Sequence, residues 1–245
     1  MPPTIAQNIS AGEELLTAVR LYGSGLGQLQ SLDDGVSDFF HLPLLALQQG
    51  LERWVKISLC FLHLEQHGEF PERPYFPPGK LGHNIQILLD RLVSLAYTTG
   101  FETKFSYVKQ DRVYLKSKPF RAYLISLSNF GMSSKYYHLN TVLRKKNQSM
   151  RPEYALQNLE DKVLDFNPRL KESFYASCGS QEVVVQILAE SRSILVHCDR
   201  ALTRLLVLGA LGEEAESYTG YVYKFHQLSD EELKTVEFDP FHKNI

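Results

Sequence analysis

The run from Ser180 to Gly209, SQEVVVQILAESRSILVHCDRALTRLLVLG, contains no proline and no internal glycine and is the longest uninterrupted helix candidate in the chain. At 100° per residue, Val184, Ile187, Leu188, Ser191, Ile194, Leu195, Cys198, Leu202 and Leu205 fall on one largely apolar stripe. Glu190, Ser193, His197, Arg200 and Arg204 make the opposing polar stripe, with Arg192 at its edge. Ser180 is placed to cap the start, and Gly209 or Gly212 to end the helix. A helix with one apolar side must bury that side, so the run calls for a bundle of further helices.

The rest of the chain supplies them. HLPLLALQQGLERWVKISLCFLHLEQHG tolerates Pro43 in its first turn, and Leu44, Leu47, Leu51, Trp54, Val55, Ser58, Phe61 and Leu62 repeat at helical spacing until Gly68 and Pro71. Glu52 and Lys56 stand four apart on the flank of that stripe, in the favourable order. A four-proline linker, FPERPYFPPG, leads to LGHNIQILLDRLVSLAY, with Ile85, Leu88, Leu89, Leu92, Val93 and Ala96 on one face. Near the N-terminus, SAGEELLTAVRLYG reads as a helix with Ser10 and Glu13 at capping-box spacing and Gly23 as its stop; GSGLG then opens a loop. FSYVKQDRVYLKSKPF reads as strand or ordered loop, and helix resumes after Pro119 and again from Tyr136 to Lys146. Pro152 opens a helix that Asn167-Pro168 interrupts, and the acidic tail reads as an extended piece, YTGYVYKFHQL, followed by a short helix capped by Ser229 with Glu232. The expected fold is all-α: one domain over 1–245, with a helical core at about 37–98 and 152–210, a basic insertion at about 101–151 and an acidic extension at 213–245.

Charge is distributed unevenly. Between Thr103 and Arg151 stand eleven Lys or Arg against one acid, Asp111, a local net charge of +10 in a chain whose net is −2, so the remainder carries −12. The basic segment is interleaved with Phe105, Tyr107, Tyr114, Phe120, Tyr123, Phe130, Tyr136 and Tyr137. Cations neutralise phosphates and aromatic faces stack on unpaired bases, so Lys104, Lys109, Arg112, Lys116, Lys118, Arg121, Lys135, Tyr136, Tyr137, Arg144, Lys145 and Lys146 are candidate RNA contacts. Two other readings stay open: a solvated basic face over an aromatic minicore, and a surface that docks the chain's own acidic tail.

Three cysteines without paired spacing point to reduced thiols and a cytoplasmic setting. MPPTIAQNIS has no basic start or apolar core of a signal peptide, and the longest apolar stretch, Ile57 to Leu64, is too short to span a bilayer. No phosphate loop, GxSxG, CxxC or kinase signature is present, and nothing calls for a cofactor. His63 and His67 share a helix face as metal pairs do, but the order is not that of a metalloprotease; helix-end or surface histidines is the simpler reading, and no metal is expected. Cys178, in an ASCGS turn, has no base beside it in sequence.

RSILVH, Arg192 to His197, matches an arginine followed four to six residues later by a histidine on a late helix. About one such spacing is expected by chance among twelve arginines and eight histidines, so its position matters more than the match. Together with LERWVKISL and KLGHNIQILLDRL, where Glu52 and Lys56 one turn apart precede a loop and then His83, the chain resembles the HEPN superfamily. The resemblance covers roughly 39–97 and 153–209 and implies an up-and-down four-helix bundle. Many members are metal-independent endoribonucleases whose arginine and histidine meet across the two-fold axis of a homodimer. On that reading His197 is general base or acid and Arg192 stabilises charge on the phosphate during attack by an RNA 2′-hydroxyl. Ser193 and Glu190 would orient the histidine, with Glu52, Lys56 and His83 in support. The composite arrangement also answers a geometric problem, since Arg192 and His197 lie about 140° apart around one helix. Ser193 stands where the family often has Asn, Asp or His. Other branches are non-catalytic partners of nucleotidyltransferases or of defence and toxin–antitoxin components, which makes an RNA-, nucleotide- or protein-binding module the alternative, beside an unrelated helical scaffold.

Overall fold

A computed structural model describes residues 2–31, 41–144 and 151–238, and among them every regular element is helical. Two long helices, α1 (Ile5–Gln30) and α2 (His41–His67), lie antiparallel along their whole length. α1 begins earlier than the Ser10 cap suggests, because Thr4 accepts from the Gln7 backbone while the Gln7 side chain returns to the Thr4 amide. It also runs straight through Gly23, Gly25 and Gly27 instead of stopping in a loop. The helix–helix contact explains this. A Cβ on Gly25 would stand 2.8 Å from the Leu47 amide nitrogen, and one on Gly50 of α2 would stand 2.4 Å from the Tyr22 amide nitrogen. Glycine costs about 1 kcal/mol in a helix, and here close backbone approach offsets it. Tyr22 and Trp54 pack edge to face beneath that contact, with centroids 6.2 Å apart.

After the proline-rich linker, a 3-10 turn at Gly79–His83 leads into α3 (Ile85–Ala96), whose N-cap Asn84 accepts from Gln86 and Ile87. All six residues expected on its apolar face are buried. A short helix, α4 (Thr99–Lys104), follows, and the segment read as strand or ordered loop, 105–120, instead holds α5 (Val108–Leu115) and the first turn of the next helix. α5 buries Val108, Asp111 and Leu115 and turns Lys109, Val113 and Lys116 to solvent. α6 (Lys118–Met132) then enters the core, burying Phe120, Tyr123, Leu124, Leu127 and Phe130 against α2, α3 and α8. α7 (Tyr137–Val142) buries none of its residues. The basic insertion is therefore part of the same core as the flanking helices, and so is α1, which the sequence places outside it.

α8 (Pro152–Phe166) and α9 (Pro168–Ala176) meet at Asn167, which caps α9 through the Leu170 amide. α10 (Gln181–Val207) follows and touches α1, α5, α6, α8 and α9. Tyr22 of α1 donates to the Leu195 carbonyl at 2.9 Å, and Tyr123 of α6 to the Ser191 hydroxyl at 2.7 Å. The described tail carries three short helices, α11 (Glu213–Glu216), α12 (Tyr223–His226) and α13 (Glu232–Thr235); a 3-10 turn at Thr219–Tyr221 and α12 stand where the sequence reads as extended, and α13 stands where a short helix is expected. Val222, Phe225, Leu233 and Phe238 anchor this tail in the core. The Ser229–Glu232 capping box is present as read from the sequence.

Candidate functional site

The polar stripe of α10 is covered, and one buried carboxylate organises it. Asp111 is fully buried, the only acid in the basic segment, and takes both Arg204 Nη1 hydrogen bonds at 3.0 Å. Arg200 Nη2 stands 3.9 Å from the same carboxylate, and His197 Nε2 3.6 Å. Arg200 also lies 2.8 Å from His197 Nε2; an arginine has only protons to give, so Nε2 is the acceptor. The imidazole is stacked on Tyr114 of α5, with centroids 3.5 Å apart and planes 13° from parallel, while the Tyr114 hydroxyl donates to the Ile194 carbonyl. Burial pushes the Tyr114 hydroxyl and the Cys198 thiol well above their usual values. His197 is thus half-buried, with one face closed and its acceptor nitrogen engaged.

Arg192 leaves α10 in another direction. Its Nη2 donates to the Lys234 carbonyl of α13 at 2.5 Å, and Lys234 closes an ion pair on Glu190. Burial lowers the Arg192 guanidinium from its ordinary value, and the nearby Glu237 works against that shift. Ser193 returns its hydroxyl to the Glu190 carbonyl one turn back at 2.9 Å. Neither Ser193 nor Glu190 orients His197 within the chain, because each is committed elsewhere.

A second cluster forms where the sequence groups Glu52, Lys56 and His83. The Glu52 side chain is 7% exposed; its Oε1 receives Lys56 Nζ at 2.7 Å and lies 2.8 Å from His83 Nδ1, and its Oε2 accepts from Gln48 at 2.7 Å. The histidine arrives from the 3-10 turn before α3, so helix spacing and loop geometry converge on one carboxylate. No hydrogen bond or ion pair joins this cluster to Arg192 or His197 among the described residues.

The basic segment divides into two groups. Arg112 pairs with Glu102 at 2.8 Å, Arg121 pairs with Asp90, and Tyr137 interacts with Arg151 at 3.4 Å. Lys104, Lys109, Lys116, Lys118, Lys135 and Arg144 have no carboxylate within ion-pair distance among the described residues; Lys104 lies over Phe105 and Lys135 over Tyr136. Most of the interleaved aromatics are not available to bases. Phe120, Tyr123 and Phe130 are core residues, Tyr114 is spent on His197, and Phe105 packs against Phe101. Tyr107 and Tyr136 are the ones exposed. Among the described residues the acidic tail meets α10 through Asp230 and Arg200, 2.8 Å apart, and makes no ion pair with this arm. Lys145 and Lys146 lie outside the described residues.

His63 and His67 have ring centroids 4.3 Å apart beside Tyr75, and no group of three or more His, Cys, Asp or Glu suited to a metal occurs among the described residues. Cys178 is exposed, at φ 51° after α9. No described helix is long and apolar enough to cross a membrane.

Asp111, Tyr114 and Asp230 are the partners the sequence reading missed. Asp111 carried a signal, as the lone acid in a strongly basic run. What the fold and these clusters define is an all-helical protein with a closed polar stripe on α10, one of its two 27-residue helices, and a cationic arm beside it. No family model matches the chain, and neither the curated proteins nor the solved structures contain a match to it.

Proposed function

We propose that the chain is a HEPN-like RNA-binding module that holds single strands through the cations of α4 to α7. The observation that carries this reading is the row of Lys104, Lys109, Lys116, Lys118, Lys135 and Arg144, none with a carboxylate within ion-pair distance among the described residues, beside exposed Tyr107 and Tyr136, in a chain that is acidic elsewhere. Such a surface gains affinity by releasing counterions from phosphates. Arg192 and His197 act in this conformation as ties within the fold. The test is a fluorescence-anisotropy titration with a labelled 20-nucleotide single strand at 50 and 200 mM salt. Binding should weaken at least about tenfold across that range, and Lys109→Glu with Lys116→Glu should weaken it further and flatten the dependence. Equal, salt-independent affinities for both proteins would defeat the proposal.

The second reading is a metal-independent endoribonuclease with Arg192 and His197 meeting across a homodimer, in a defence or toxin-like role beside an antitoxin or nucleotidyltransferase partner. The convergence of Lys56 and His83 on Glu52 supports it. It requires RNA cleavage in EDTA that Arg192→Ala with His197→Ala abolishes; cleavage at the wild-type rate in that variant rules it out.

A further inference from the structure

The residues from His226 to Lys234 run across the polar side of α10 and give a main-chain oxygen to each of its three arginines. The Lys234 carbonyl takes Arg192, the Leu228 carbonyl takes Arg200 at 2.8 Å, and the His226 carbonyl takes Arg204 at 3.2 Å. Asp230 adds its carboxylate to Arg200. A guanidinium is built to hold two oxygens of one phosphate or carboxylate on its forked edge; at Arg192 a single carbonyl fills half of that fork, and at Arg200 the two terminal nitrogens are divided among the Leu228 carbonyl, Asp230 and His197 Nε2.

The mismatch is visible in the donors. The Nε of Arg192 and the Nε of Arg200 are both buried and have no hydrogen-bond partner among the described residues, and Arg200 as a whole is only 5% exposed. Buried arginine donors without acceptors are costly, so a merely structural cap would be expected to satisfy them. Arg204 differs, because Asp111 already occupies its other side.

We infer that residues 226–234 are a displaceable cover over a second phosphate-binding row made by Arg192 and Arg200, and that a polyanionic single strand competes with the cover for those arginines. The inference rests on the RNA-binding reading above. It adds a site that the basic arm does not contain, and a reason for the tail to lie where it does. The strand would first be held by α4 to α7. Its phosphates would then replace one carboxylate and two carbonyl oxygens by bidentate contacts. Leu233 and the stacked pair Phe225 and Phe238 hold the cover closed until that exchange occurs.

The experiment uses the full-length protein. Hydrogen exchange is followed across 226–236 with and without a 20-nucleotide single strand, and affinity is measured for wild type, Asp230→Ala and Leu233→Asp. Asp230 is 74% exposed, so its substitution loosens the cover with little risk to the fold, which keeps the test decisive if Leu233→Asp does not fold. The expected result is faster exchange in 226–236 on binding, with affinity raised about threefold or more by Asp230→Ala. The slope of log affinity against log salt should also steepen by about one to two, the number of added phosphate contacts. RNA that binds wild type without changing exchange in 226–236, with Asp230→Ala binding equally well, overturns the cover and leaves the arm intact. RNA that binds none of the proteins overturns the RNA-binding reading and this inference with it.

Discussion

Replacing Asp111 by alanine should destabilise the protein more than any other single change on the polar side of α10. The carboxylate is fully buried and receives two hydrogen bonds from Arg204, whose side chain is 14% exposed, with Arg200 and His197 within 3.9 Å. Deleting one partner of a buried ion pair leaves the other charge uncompensated and costs about 3–5 kcal/mol. For a domain of this size that corresponds to a fall in Tm of roughly 6–20 °C. Arg204 retains two contacts, its Nε bond to the His226 carbonyl at 3.2 Å and the Tyr107 ring at 5.1 Å, which favours the lower half of that range. Urea unfolding followed by the single tryptophan, buried Trp54, gives the midpoint and slope. The double variant Asp111→Leu with Arg204→Met should recover most of the loss, since a well-packed apolar pair avoids the desolvation cost. A loss under about 1 kcal/mol for Asp111→Ala, or no recovery in the double variant, would refute Asp111 as the buried counter-charge of α10.

Gly50→Ala should cost about 1–3 kcal/mol or more, because its Cβ would meet the Tyr22 backbone, which cannot turn aside as a side chain can; a neutral result in thermal unfolding would contradict the tight α1–α2 contact. Stability should also fall on mild acidification. Burial, with Arg204 second, holds the His226 imidazole below its ordinary value of 6.5, so the unfolded chain binds a proton first. The contribution is intact above pH 6.5 and lost as pH falls from there through the depressed folded value. His226→Asn should therefore shrink the drop in urea midpoint between pH 7.5 and 5.5, leaving a smaller one to which His63, also lowered by burial, contributes; an unchanged drop would remove His226 from the account. Asp230, held low by Arg200, adds a further loss only below the carboxylate range.

The helices most legible in the sequence are those with long apolar runs at helical spacing, α2, α3 and α10, while α6, α7, α8, α13 and the first half of α1 are legible from proline and capping signals or short helical patterns. α5 was not, because a buried aspartate sits between Val108 and Leu115 where an apolar residue would complete the stripe, and its tyrosine and valines suit strand equally well. The C-terminal half of α1 was hidden for a different reason. Gly23, Gly25 and Gly27 are helix breakers locally, and their value lies in a contact with α2 that no local window contains. Of the candidate site, the Glu52 and Lys56 pair was legible as a helical spacing, and His83 joined it only through the family resemblance. The polar stripe of α10 was legible too, but not its burial. What covers it is largely main-chain oxygen from His226, Leu228 and Lys234, and carbonyls leave no mark on residue identity. Asp111 showed only as an anomaly of charge, its partner Arg204 lying ninety-three residues away.

The central claim is that the cationic arm is where nucleic acid first makes contact. Photocrosslinking of a 4-thiouridine single strand to the full-length protein, with the attached peptides read by mass spectrometry, tests it most directly. The expected crosslinks fall between Lys104 and Arg144, with Tyr107 and Tyr136 among them, and diminish in Lys109→Glu with Lys116→Glu. Crosslinks confined to other helices, and unaffected by those two substitutions, would contradict it.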